Sequence, residues 1–207
     1  MSHQWLKWAQ QLQAISQNGL TYQNHPYDVE RYEQLQQIAA EIMATYTDLD
    51  MAAILDLFQR EKWHATPKVD VRGAVFRDGQ ILLVQQRTDG FWTLPGGWAD
   101  VGESPSQAVV REILEESGFE TKAVKVAAVY DRDHPRHGHL PEPYHVYKLI
   151  FLCELLSGAP TESYEIQQIG FFREDEIPDL SLYRVVPSQI SRLFDYYRDP
   201  NLPTDFD

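Results

Sequence analysis

The chain is expected to fold as an α/β protein, an α/β/α sandwich built on a mixed sheet, preceded by a small all-helical domain. Three observations carry this. Apolar residues recur at helical spacing as far as Lys62, the texture changes at Trp63-His64-Ala65-Thr66-Pro67, and alternating strand-like segments then flank one strongly capped helix.

From Trp5 the apolar residues Trp5, Trp8, Leu12 and Ile15 form one stripe, and Asn18-Gly19 supplies a helix stop. A second helix is expected from about Val29 to Tyr46, burying Leu35, Ile38, Ile42 and Met43. A third begins near Asp50 and uses Met51, Ile54, Leu55 and Phe58. Residues 1–64 therefore read as one helical domain, small enough to need something to lean on. Pro67 ends the helical period, and residues 67–207 read as the second domain. Val69, Val71, Ala74 and Phe76 form a strand, Asp78-Gly79 a hairpin turn, and Ile81 to Val84 the returning strand. After Trp92-Thr93-Leu94-Pro95-Gly96-Gly97 a helix opens with Ser104 as cap, Pro105 at its first position and Gln107 completing a capping box; it closes at Gly118. Strands follow at about Ala123 to Tyr130, Tyr144 to Leu155 and Ile166 to Phe172, then a last helix after Pro187. The end from Asp199 is expected to fray.

The 207 residues carry a formal charge of -13, which removes the electrostatic footprint of a duplex nucleic-acid binder. The single cysteine, Cys153, lies in an apolar run and excludes an intramolecular disulfide or a cysteine-based zinc cluster. The first residues are too polar for a signal segment and no apolar run approaches a membrane span, so the expectation is a cytoplasmic protein without a membrane partner.

The chemistry concentrates on the capped helix. Glu112, Glu115 and Glu116 fall three and four positions apart, on one side, where like charges repel. A hard cation such as Mg2+ or Mn2+ reverses that repulsion by taking carboxylate and phosphate oxygens together. Glu103 can add an oxygen, and Arg111 can orient a carboxylate through a bidentate pair. Taken alone, an Arg-Glu-x-x-Glu-Glu string reads more readily as a solvated helix face than as a metal site.

The complete spacing decides between these. Gly97, Glu103, Arg111, Glu112, Ile113, Glu115, Glu116, Gly118 and Phe119 match the Nudix box at every fixed position, so the region of about residues 67 to 198 resembles the Nudix hydrolases. Leu82-Leu83-Val84 with Arg87, and Gly170-Phe171-Phe172 followed by Asp175-Glu176-Ile177-Pro178, are similar to the family's flanks. The resemblance implies hydrolysis of a nucleoside diphosphate linked to another group. It implies Glu112 and Glu116 as main metal ligands, Glu115 as a further ligand and the Gly96 carbonyl as a backbone ligand. Glu165, before the strand at Ile166, matches the loop glutamate that serves as general base in similar proteins; Glu162 is the neighbouring candidate and Glu112 the fallback.

Substrate contacts are expected from Arg72, Arg87, Trp92, Asp131 and His134, each of which also reads as an ordinary ion pair, core aromatic or solvated loop residue. A metal role for the histidine-rich loop 131–143 has no evident ligand geometry in the sequence. Helices followed by Lys68-Val69-Asp70-Val71-Arg72-Gly73-Ala74-Val75 resemble a bacterial Nudix subgroup that includes CDP-choline pyrophosphatases and enzymes described as ADP-ribose pyrophosphatases. That resemblance implies a homodimer whose helical domain joins the interface, with Tyr22, Tyr27 and Trp63 as aromatic candidates for base contact. CDP-choline is the favoured substrate and ADP-ribose the nearest rival. A nucleotide-sensing regulator is the alternative of another class, disfavoured because all three glutamates are present. Shortening of RNA ends is a third reading, disfavoured by the acidic charge.

Overall fold

The computed structural model describes residues 4–23, 25–161 and 163–207. The chain divides into two compact units, residues 1–67 with 141–145, and residues 68–140 with 146–207.

In the first unit, α1 (Gln4–Tyr22) and α2 (Pro26–Tyr46) lie against one another, and α3 (Met51–Arg60) packs on α2. α1 does not stop at Asn18-Gly19. Gly19 is buried where α2 crosses, and a Cβ there would stand 2.3 Å from the Tyr32 ring, so this glycine serves close helix contact and not termination. The proline at the start of α2 fits its first turn, where an N–H is not needed, and moves the start ahead of Val29. Asp50 caps α3 by accepting from the backbone N–H groups of Ala52 and Ala53. The buried face also differs from the expected stripes. Leu6, Ala9, Ala39, Ala40, Met43, Ile54 and Phe58 form the core, whereas Trp8, Ile15 and Ile38 are exposed. Small residues at Ala9, Ala39 and Ala40 let the helices approach closely, which turns the larger residues outward.

In the second unit, β1 (Lys68–Arg77) is central. It runs parallel to β6 (Val146–Gly158), antiparallel to β4 (Gly96–Trp98) through its first half, and antiparallel to β2 (Gln80–Gln86) only at its far end. β2 pairs with β3 (Trp92–Thr93) and β7 (Ile166–Phe172), and β5 (Phe119–Asp131) pairs with β6. Positive φ at both Asp78 and Gly79 gives the β1–β2 hairpin a turn whose twist matches its strands. α4 (Pro105–Ser117) covers one face with Val109 and Ile113 against Val71, Val75 and Leu82; α5 (Pro187–Arg198) covers the other with Ile190, Leu193 and Phe194. Burying Ile113 contributes about 1.5–3 kcal/mol. Its side chain occupies the space a Cβ at Gly73 would need, at 2.4 Å, so the sheet offers the helix a glycine floor there.

The chain end is ordered, contrary to expectation. β8 (Asp205–Phe206) adds to the edge of β5 in parallel, and Tyr130 Oη donates to Asp205, Thr204 Oγ1 to the carbonyl of Val126, and Tyr196 Oη to the carbonyl of Pro203. Loop 131–143 is likewise less solvated than its composition suggests, since Arg132, His137 and His139 are buried. Among the described residues no helix is long and apolar enough to cross a membrane.

Candidate active site

β1 pairs with β4 through Asp70 to Arg72 but with β2 only from Phe76, and the carboxylates of α4 gather where these pairings part. The corner demands glycine. Gly96 has φ 139°, and a Cβ on it would stand 2.0 Å from the Val71 carbonyl; a Cβ on Gly97 would stand 3.0 Å from the Glu112 carboxylate. α4 is fixed at both ends: the Ser104 hydroxyl accepts from Gln107 N–H while Gln107 accepts from Ser104 N–H, and left-handed Gly118 returns its N–H to the Leu114 carbonyl.

The three glutamates differ sharply in environment. Glu116 is 5 % exposed, and its carboxylate accepts from Gly96 N–H at 2.7 Å and from Gln86 Nε2 at 3.0 Å. Burial pushes its pKa up to about 7, against the lowering pull of Arg72 and these two hydrogen bonds. Glu112 is mostly covered and its pKa is also raised, first by burial and then offset by Arg111. The Glu115 side chain is 58 % exposed. Arg111 ties the cluster together, with Nε on both oxygens of Glu103 at 3.0 and 3.1 Å and NH1 on Glu112 at 3.0 Å and Glu115 at 2.9 Å. One guanidinium thus bonds three carboxylates from the rim and offsets one of their charges, and these bonds, Glu103's first, hold its proton more firmly than usual.

Arg72 is buried behind the cluster. Its Nε and NH2 grip Asp70, NH1 donates to the Leu94 carbonyl, and its charge acts on both Glu116 and Glu112. Lys148, adjacent to Asp70 in the β1–β6 register, closes an ion pair on the same carboxylate. Burial pushes Lys148 down to about 8 despite Asp70, while Arg72 and Lys148 overcome burial to hold Asp70 below the usual carboxylate range.

The donor set suits a hard divalent ion. Two mostly covered carboxylates, a third at the rim and the backbone of a glycine held at an unusual φ offer oxygen ligands, whose mutual charge is met here by arginines.

Other expected residues are placed as follows. Glu165 is exposed immediately before β7, its carbonyl accepting from Arg87 N–H at 2.9 Å, one residue beyond the pairing of Gln86 with Ile166. Glu162 lies outside the described residues. Arg87 is exposed at the end of β2. The Trp92 indole meets Phe172 edge-on at 4.7 Å and packs against the core beneath α5, so it fills the apolar layer. Asp131 and His134 belong to the end of β5 and the turn after it, where Asp131 N–H donates to Asp207 at 2.6 Å and His134 faces the same carboxylate at 3.6 Å. Tyr22, Tyr27 and Trp63 are exposed in the helical unit.

Sequence reasoning passed over Gln86, Asp70 and Lys148. A signal existed: Asp70 and Arg72 share a face of β1 with Ala74 and Phe76, an alternation that turns two charges inward.

Comparison with known proteins identifies the family. Residues 66–194 match the model of the NUDIX domain, and residues 3–58 match the model described as a UDP-X-like, N-terminal oligomerisation domain. The chain is 47 % identical over 203 residues to YjhB of Bacillus subtilis (strain 168), whose name proposes an ADP-ribose pyrophosphatase, covering 98 % of this chain and 97 % of that one. Among solved structures it is similar to a UDP-X diphosphatase, with 33 % identity and a TM-score of 0.64 over 100 % of this chain and 99 % of the other. An ADP-ribose pyrophosphatase from Streptococcus suis 89-1591 aligns at 38 % identity and a TM-score of 0.63, over 69 % of this chain and 100 % of that one. Nudix hydrolases act on nucleoside diphosphate substrates and generally use divalent metal ions. With the NUDIX match spanning more than half its length, the chain belongs to the Nudix hydrolase family and is a Nudix pyrophosphohydrolase.

Proposed function

We propose that the chain hydrolyses the diphosphate bridge of ADP-ribose or a similar nucleoside diphosphate derivative, releasing a nucleoside monophosphate and a phosphorylated partner. The observation that carries this is the buried Glu116 carboxylate, oriented by Gly96 N–H and Gln86 beside Glu112. The full-length similarity to YjhB favours ADP-ribose over CDP-choline, which the sequence resemblance put first.

In this reading Glu112, Glu116, Glu115 and the Gly96 carbonyl hold Mg2+ or Mn2+. A cation held there would neutralise diphosphate charge and make the attacking water more acidic. Gly96 N–H and Gln86 fix Glu116 before substrate arrives, so little reorganisation is needed. Arg111 keeps Glu112, Glu103 and Glu115 converged, and Arg72, itself clamped by Asp70, supports the buried charge from behind. In this reading Arg87, exposed at the end of β2, meets substrate phosphate. Glu165, beside it, takes the proton from water. Glu165→Gln is expected to slow the single-turnover step by about 10²-fold or more while leaving Mn2+ affinity unchanged. An unchanged single-turnover rate would remove Glu165 as the base.

The substrate assignment is tested by comparing kcat/KM with Mg2+ and Mn2+ across ADP-ribose, CDP-choline, UDP-sugars, dinucleoside polyphosphates and nucleoside triphosphates. ADP-ribose is expected to lead. A preference for triphosphates would overturn the diphosphate reading.

The helical unit supports a homodimer. Trp8, Ile15 and Tyr22 recur every seven residues along α1, are 56 %, 54 % and 66 % exposed, and form an apolar stripe that a second copy would cover. Ile15→Glu in the full chain is expected to give a monomer in sedimentation velocity with an unchanged circular dichroism spectrum. A dimer of undiminished affinity would contradict this.

A further inference from the structure

The turn after β5 and the segment ending β8 bring together a second group of metal-ligating side chains, chemically unlike the glutamates of α4. His134, His137 and Asp207 each offer a ligand atom, all within 4.8 Å of one another. His137 Nε2 lies 3.2 Å from Asp207 Oδ1, and His134 Nδ1 lies 3.6 Å from the same oxygen. An ion with tetrahedral bonds of about 2.0–2.1 Å spaces its ligands about 3.3 Å apart, so these separations already approximate two edges of such a site.

The surroundings fix the ligands as a built site does. Asp131 N–H donates to Asp207 Oδ2 at 2.6 Å, orienting the carboxylate while Oδ1 faces the imidazoles. The His137 side chain is 5 % exposed, against 45 % for His134, so one ligand is anchored in the protein and the other opens to solvent as an entry path. Arg136 Nε meets Asp207 Oδ1 at 2.7 Å and supplies the positive charge there. Its side chain is 40 % exposed and can turn away when a cation takes its place.

We propose that His134, His137 and Asp207 form a binding site for a Zn2+-class transition-metal ion, separate from the carboxylate cluster, that clips β8 to the turn following β5. Two imidazoles and one carboxylate favour borderline ions over Mg2+, whereas the all-oxygen set on α4 suits Mg2+ and lets it occupy that site when present in large excess. Water completes the coordination.

Co2+ is the probe, added to the full-length protein in saturating Mg2+ so that the glutamates are occupied. Binding of one equivalent with the strong visible absorption of low-coordinate cobalt, displaced by Zn2+, is expected. His134→Ala and Asp207→Asn should each weaken this binding by at least about 10²-fold, more than loss of an outer-shell partner usually does. Glu112→Gln/Glu116→Gln should leave it unchanged. Zn2+ should raise the melting temperature of the unmodified chain and not that of His134→Ala. Absence of the absorption, its survival in His134→Ala, or its loss in Glu112→Gln/Glu116→Gln would overturn the proposal.

Discussion

Glu116→Gln is expected to lower turnover by more than the roughly 10- to 100-fold that loss of an outer-shell partner costs a metal site. Gln can still accept from Gly96 N–H and fill the same volume, but it carries no charge for a cation. The fold should survive, and the effect on stability has a defined sign. Burial raises Glu116 from 4.5 to about 7, so between these values the folded chain binds more protons than the unfolded chain. Stability then falls as pH rises through that window, and the loss is complete above about 7. Without metal at pH 8, Glu116→Gln should therefore melt no lower than the unmodified chain, while at saturating Mg2+ the order should reverse. Near-normal turnover in Mg2+ would contradict the role assigned to Glu116.

Gly96→Ala should be the most destabilising single change at the site. Its Cβ would fall 2.0 Å from the Val71 carbonyl and 2.9 Å from Arg72 Cα, both backbone, and φ 139° is strained for any L side chain. Neither obstacle can swing aside, because β1 is pinned by β6 along this stretch. A cost of about 3 kcal/mol or more is expected, read as a lowered urea midpoint. Gly97→Ala is the informative contrast, because the obstacle there is the Glu112 carboxylate at 3.0 Å, the end of a flexible side chain. It should fold and lose metal affinity instead. Equal stability of Gly96→Ala and the unmodified chain would show that the corner is not the rigid frame described.

Much of this was legible in the sequence because it rests on local rules. Ser104, Pro105, Gln107 and Gly118 bound α4 at both ends as capping chemistry requires, and Asp78-Gly79 fixed the hairpin. Gly97 to Phe119 is readable as a metal-binding motif because the complete spacing resembles the Nudix box, whereas the repulsion of three glutamates on one helical turn fits a solvated face as well. What escaped depends on contacts distant in the chain. Gly19 looked like a helix stop because its true reason, the Tyr32 ring, sits on another helix. The stripe containing Trp8 and Ile15 has helical period whichever side is buried, and only the small residues of α2 reveal which face packs inward. The C-terminal segment carries no strong strand pattern, yet Tyr130, Val126 and β5's free edge capture it. Gln86 is one glutamine among many until the packing of α4 on the sheet brings Glu116 to it.

In the proposed function Glu112 and Glu116 hold a divalent cation at the corner made by Gly96 and Gly97. Titrating the full-length protein with Mn2+ and following the free-ion electron paramagnetic resonance signal measures this without reference to any substrate. The unmodified chain is expected to quench the signal saturably, with Mg2+ competing, and Glu112→Gln/Glu116→Gln to leave it free over the same range. Equal Mn2+ binding by the two proteins would contradict the account.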